Sequence, residues 1–397
     1  MPIHHFFLIF YLLPICTFAH SWAEETLAQM SLEEKVGQLF IAPACPLRGE
    51  DHFDDWVQLM KQYHIGGAIM KQSSPESHIR LVNRLQQTSD HPLLITADAE
   101  WGLSMRMSET VAFPKNKTLG QLHDLELIHA IGVEIGKQCR RVGVHLNFAP
   151  VADVNTNPHN PVIGVRSFGD DPAWVSQCVV QMVKGLQEGG VMACAKHFPG
   201  HGDTAMDSHH DLPIILHRQK RLETVELAPF RAAISSGVRA IMSAHILVPS
   251  LDERLPATLS PAILTNLLRK EMGFEGLIVT DALNMRALAN YYPPETIAYY
   301  AYCAGCDLLL YGDHKGPNID DILRNQIPKA YDCLLESFSS NNLDVSVLDE
   351  KVLRILRMKE AMQLHLERQV PLDDVQSVLH SVEAQDLQAR AKEKSSP

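Results

Sequence analysis

Lys196, His197, His201, Asp203, Asp207, His209 and His210 fall within residues 196–210, directly after the apolar run 191–195. Imidazole, with an ordinary pKa of about 6.5, gives and takes protons near neutrality. Asp207, two residues before His209, can orient that ring and favour its protonated form. Pro199, Gly200 and Gly202 let the segment turn tightly between its reactive groups. An apolar run that breaks off into ionisable groups and glycines is how many α/β proteins present chemistry at the end of a strand.

Elements able to hold such a loop are legible around it. Between residues 24 and 364, apolar runs of strand length alternate with longer amphipathic stretches, the pattern of repeated β/α units. Strands are predicted at 36–43, 66–70, 93–97, 144–151, 191–195, 240–244, 276–279 and 307–311. Helices are predicted at 124–142, 173–188, 224–236 and 260–272. Ser260 followed by Pro261 is a helix start, an N-cap with proline in the first turn. Eight strands joined by helices predict a single (β/α)8 TIM-type barrel of the α/β class.

The polar residues then sort themselves. Asp98 and Glu100 follow the third strand, Asp153 the fourth, Lys196 and His197 the fifth, His245 the sixth and Asp281 the seventh. All fall at carboxyl ends, where barrel active sites are built. Caps alone would not put such residues after five successive strands, so a shared pocket is expected.

Hydrophobic residues make up 46% and charged residues 21% of the 397, enough for a substantial core. The net charge of −12 argues against a nucleic-acid partner, which would call for a basic face. A helix at 347–363, with Val352, Ile355, Leu356 and Met358 near one face, closes the expected barrel domain at 24–364. Residues 365–397 are charged, helix-prone and poor in aromatics, hence a C-terminal helical extension. At the other end, 6–19 is apolar but short for a bilayer, with cleavage points after Ala19 or Ala23. Residues 1–23 are therefore expected to be an export signal, with an uncleaved anchor as the alternative. Cys139, Cys178, Cys194 and Cys333 sit in apolar contexts, and Cys303 with Cys306 reads as core rather than as a redox pair.

The stretch Lys196-His197-Phe198-Pro199-Gly200-His201-Gly202-Asp203-Thr204, with Asp207-Ser208-His209, resembles the signature of family 3 glycoside hydrolases of the β-N-acetylhexosaminidase branch, K-H-F-P-G-H-G-D-T-x-x-D-S-H. Every fixed position is present, which is far more specific than a lone glycine-rich motif. The segment 276–285 resembles that family's nucleophile strand and implies Asp281 as the attacking carboxylate of a retaining mechanism. The resemblance implies His209 as proton donor, tuned by Asp207, with His210 a bystander. It also implies sugar contacts from Asp98, Arg106, Lys196 and His197, and from Arg166 in the matching R-S-F-G segment at 166–169. Asp153, in the matching segment 147–154, could be structural instead.

The implied activity is exo-acting hydrolysis of terminal β-linked N-acetylglucosamine from glycans or muropeptides, with no cofactor and no metal. The export signal would place it in the periplasm or outside the cell. A membrane-tethered or cytoplasmic location is the alternative, and no stable span remains if the signal is cleaved. One departure stands out: the family often has D-Q-E-G-G-R-V after strand three, whereas this chain has Asp98-Ala99-Glu100-Trp101-Gly102-Leu103-Ser104. Trp101 is expected to form an apolar wall against a sugar or its leaving group. Three other readings stay open. A metal-dependent barrel hydrolase would draw ligands from His197, His201, Asp203 and His209. An inactive glycan-binding protein would keep only the pocket. A phosphorolytic enzyme would use phosphate as acceptor, since a histidine donor avoids the repulsion a carboxylate would impose.

Overall fold

The computed structural model describes residues 21–208, 211–312 and 318–395. Eight parallel strands form one sheet: β1 Phe40–Ala44, β2 Gly67–Met70, β3 Leu94–Ala97, β4 Leu146–Asn147, β5 Met192–Phe198, β6 Ala240–Ser243, β7 Leu277–Thr280 and β8 Leu309–Leu310. They lie in the order β7-β6-β5-β4-β3-β2-β1-β8. A bridge between Val279 and Leu308 joins the two ends of the sheet. Every strand residue is buried, as the apolar runs require of a sheet covered by helices outside and filled by side chains within. The predicted TIM-type barrel is the fold observed.

Three boundaries differ from expectation for local reasons. Ser31 and Glu34 form a capping box that starts the helix Leu32–Gly37, so Val36 is helical and β1 begins only at Phe40. β4 stops at Asn147 because Pro150 has no N–H for the ladder; pairing resumes at the Val151–Lys196 bridge. The helix expected at 224–236 is two, Gln219–Thr224 and Ala228–Ser235, because Pro229 fits only the first turn of the second.

Other expected helices are close to their predicted limits. Asp124 caps Leu125–Arg141 by accepting from the Leu127 amide, and Asp171 caps Pro172–Glu188. After Ser260 and Pro261, Ala262–Glu271 is wound with the wider i→i+5 spacing. The tail is docked rather than loose. Helices Val375–Leu379 and Val382–Ser395 bury Val375, Leu379, Ala384, Leu387 and Ala391. The Asn83 side chain exchanges two 2.8 Å hydrogen bonds with the Val370 backbone. Cys139, Cys178, Cys194 and Cys306 are buried free thiols, while Cys303 is exposed and Cys333 half-buried. No helix among the described residues is long and apolar enough to cross a membrane.

Candidate active site

β3 ends at Ala97, and the two-residue period of an extended chain carries Asp98 and Glu100 to the same side of the barrel mouth. β5, running on to Phe198, holds Lys196 and His197 within the strand itself. The Lys196 ammonium lies 2.8 Å from Asp98 Oδ1 and 2.8 Å from Glu100 Oε1. Arg106 Nη2 reaches the other Asp98 oxygen at 3.2 Å. Arg166 grips Glu100 with two nitrogens, Nη2 at 2.6 Å from Oε1 and Nε at 3.0 Å from Oε2. Charge-assisted bonds of this kind hold long side chains in one geometry.

Electrostatics follow from that web. Burial alone would push the Glu100 carboxyl up, but Arg166 and Lys196 bring it down to about 2. Burial opposes the Lys196 charge, yet Asp98 and Glu100 hold the ammonium above its ordinary range. Glu100, which the sequence places at a strand end with no site role, joins Arg166 to Lys196. The D-x-E alternation at 98–100 was the available signal.

His197 donates through Nδ1 to Asp153 Oδ2 at 2.7 Å, leaving Nε2 to accept from Arg166 Nη2 at 3.2 Å. Asp153 lies fully buried behind the ring, and its other oxygen accepts the backbone N–H groups of His197 and His201. It is a buttress rather than part of the wall. Gly202 lets the loop close, since a Cβ there would lie 1.8 Å from the Val154 carbonyl oxygen; Gly200 has φ +128°.

Asp98, Glu100, Arg106, Arg166, Lys196, His197 and Asp281 all line one cavity of about 290 Å³. Asp281 is half-buried directly after β7, and one of its oxygens accepts the Ala282 amide at 2.8 Å. Asp207 is buried in the loop beyond β5, and His209 lies outside the described residues. Met105, Pro161, Val162 and Met285 supply apolar wall. Trp101 does not: it is half-buried away from the cavity, with Lys115 Nζ 5.5 Å above its ring. His245 is also set back, its ring bonded to Thr258 Oγ1 at 2.8 Å and to the Ala282 carbonyl at 3.0 Å.

Among the described lining residues, three cations, Arg106, Arg166 and Lys196, meet three carboxylates, Asp98, Glu100 and Asp281. Such a wall offers directional hydrogen bonds with little net field, which suits an uncharged, hydroxyl-rich ligand. The described members of the metal-ligand alternative are engaged elsewhere. His197 is held by Asp153 and Arg166, His201 by two hydroxyls, and Asp203 pairs with His217 at 2.5 Å. No cluster of three histidine, cysteine or acidic side chains suited to a metal occurs among the described residues.

A carboxylate after β7 thus meets a charged web at the carboxyl end of a TIM-type barrel, the face where such folds build their active sites. Residues 31–358 match the glycosyl hydrolase family 3 N terminal domain, and the chain belongs to that family. It is 35% identical over 327 residues to beta-hexosaminidase A of Pseudoalteromonas piscicida, covering 76% of this chain and 54% of that one. The chain thus spans about half the length of that curated relative. Its fold is similar to a family 3 beta-N-acetylglucosaminidase from Paenibacillus sp. str. FPU-7 (TM-score 0.85, 38% identity, 92% of this chain, 69% of that one). It is also similar to the beta-glucoside phosphorylase BglX bound to 2FGlc (TM-score 0.85, 26% identity, 93% of this chain, 66% of that one).

Proposed function

We propose that this chain is a retaining, exo-acting β-N-acetylglucosaminidase. The observation that carries the reading is the meeting of Asp281 with the Asp98–Lys196–Glu100–Arg166 web in one cavity of about 290 Å³. That volume lies near the lower end for small-ligand pockets, as a site for one terminal sugar would. Relatives named beta-hexosaminidase and beta-N-acetylglucosaminidase support the choice of glycone.

In the mechanism, Asp98, Arg106, Arg166, Lys196 and His197 bind the sugar hydroxyls and fix the ring. Asp281 attacks the anomeric carbon as the glycosidic C–O bond breaks, and the departing oxygen takes the proton of His209. Asp207 orients the imidazole and favours its charged form. Water then gives a proton to His209 and attacks the anomeric carbon, releasing the sugar and Asp281. Peptidoglycan fragments ending in N-acetylglucosamine are the proposed natural substrates.

Export is proposed for the N-terminal segment, with cleavage after Ala19. A cut after Ala23 would remove Ser21, whose hydroxyl caps Trp22–Gln29, and with it the first turn of a helix that packs against the helix Val345–Ala361. N-terminal sequencing of the exported chain should therefore begin at His20, and a start at Glu24 would contradict it.

Steady-state rates on p-nitrophenyl β-N-acetylglucosaminide and the matching β-glucoside test the activity. Preference for the N-acetyl sugar, insensitivity to EDTA and collapse in Asp281→Ala are expected. Loss with EDTA would favour the metal reading, and no turnover of either sugar the binding-protein reading. The similarity to a phosphorylase keeps phosphate in view as an acceptor. A sugar 1-phosphate product in phosphate buffer would convert the assignment to phosphorolysis.

A further inference from the structure

His201 has no part in the mechanism above, yet it is buried and lines the cavity. Its backbone is fastened to the barrel: the amide donates to Asp153 Oδ1 at 2.7 Å, and the carbonyl accepts from Asn160 Nδ2 at 2.8 Å. Its ring spans the loop. Nδ1 lies 2.8 Å from Thr204 Oγ1, and Nε2 lies 3.2 Å from Ser208 Oγ, seven residues ahead and next to His209. Burial, with His197 alongside, pushes its pKa down to about 4, so near pH 7 it carries one donor and one acceptor. The Thr204 hydroxyl donates its one hydrogen to the His201 carbonyl at 3.2 Å, so Nδ1 donates to Thr204 and Nε2 accepts from the Ser208 hydroxyl. Beyond it, the Ser208 carbonyl accepts the Ala287 amide at 3.2 Å, joining the loop to the segment that follows Asp281.

We propose that His201 is a positioning residue for proton transfer, a strut from the barrel to the Ser208 hydroxyl that fixes the loop carrying Asp207 at the mouth of the cavity lined by Asp281. This rests on the role proposed for His209. A buried side chain that merely fills space could be replaced by another of similar volume, whereas the strut needs the atom at the Nε2 position. The two nitrogens can be separated by substitution. The side-chain amide of glutamine reaches about where Nε2 lies, and that of asparagine about where Nδ1 lies.

The test uses the full chain and two substrates with the same sugar. p-Nitrophenyl β-N-acetylglucosaminide has a leaving group that departs with little protonation; a β-linked N-acetylglucosamine disaccharide has an alcohol that needs the proton. In His201→Leu, kcat/KM on the disaccharide should fall about tenfold or more beyond any fall on the nitrophenyl sugar, carried by kcat rather than KM, a loss below that of a missing general acid. His201→Gln should recover most of the lost discrimination, and His201→Asn should not. Ser208→Ala should copy His201→Leu, with no further loss in the double variant. Equal losses on both substrates, or rescue by asparagine as good as by glutamine, would overturn the strut. Ser208→Ala keeps that decision open should a His201 variant fail to fold. His209→Ala decides separately. Leaving-group discrimination there without any in His201→Leu or Ser208→Ala rejects the strut alone, and its absence in His209→Ala rejects the proton-donor reading and the strut together.

Discussion

At the residue scale the site is a set of buried charges that tolerate burial only together. Lys196 is 2% exposed between Asp98 and Glu100, so Lys196→Met would leave two buried carboxylates without the cation they share. The expected loss is about 3–5 kcal/mol in stability, seen as a lower urea midpoint, together with loss of activity. Glu100 also writes a pH signature. Its carboxyl is lowered from 4.5 to about 2, so its contribution is complete above pH 4.5 and is lost as pH falls from there towards 2. In Lys196→Met that loss should be smaller and finish at higher pH, because one of the two cations holding the folded carboxyl down is gone while its unfolded value is unchanged. Acid titrations of both proteins followed by tryptophan fluorescence check this. The residues that bear the family resemblance were readable one by one, since their side-chain chemistry is local. Glu100 was not, because its importance lies in what it touches. Trp101 was misread for the opposite reason: an aromatic beside a site motif has a direction that only packing assigns, and here it packs under Lys115.

At the element scale, each strand or helix is stable only because a neighbour covers it. The tail shows this. Val375, Leu379, Leu387 and Ala391 are buried, and Arg141 on the helix Leu125–Arg141 donates to the Pro371 carbonyl at 2.8 Å. Leu387→Ala should cost about 2–5 kcal/mol, and a chain ending at Leu364 should melt at a lower temperature than the full chain in calorimetry. An unchanged melt would mean that the tail is covering rather than support. The sequence anticipated helix in 365–397 but offered no partner for it, because the apolar residues there are too few to define a face. Proline and caps explain the element limits that moved. Ser31 with Glu34, Pro150 and Pro229 each act within a turn or two, a range at which local bonding overrides a hydrophobic run.

At the scale of the whole molecule, acid should unfold this protein through its buried histidines. Burial holds His52 near 4, His78 near 3 and His201 near 4, and His145 well below its ordinary value. A depressed imidazole binds fewer protons folded than unfolded. The stability tied to it is therefore whole above pH 6.5 and drains away as pH falls towards the folded value. Urea midpoints should drop steadily from pH 6.5 to 4, and less steeply in His78→Leu; a flat profile would mean these rings charge without unfolding the barrel.

The sequence by itself determined the eight β/α repeats, the polar residues at their carboxyl ends and the segment 196–209, because periodicity and motif are properties of neighbours along the chain. Only the tertiary structure decided that Asp98, Glu100, Arg106, Arg166, Lys196, His197 and Asp281 share one cavity while His245 and Trp101 stay outside it. The reason is geometric: closing the barrel brings Lys196 within 2.8 Å of Asp98, ninety-eight residues away, and no pattern along the chain carries that distance.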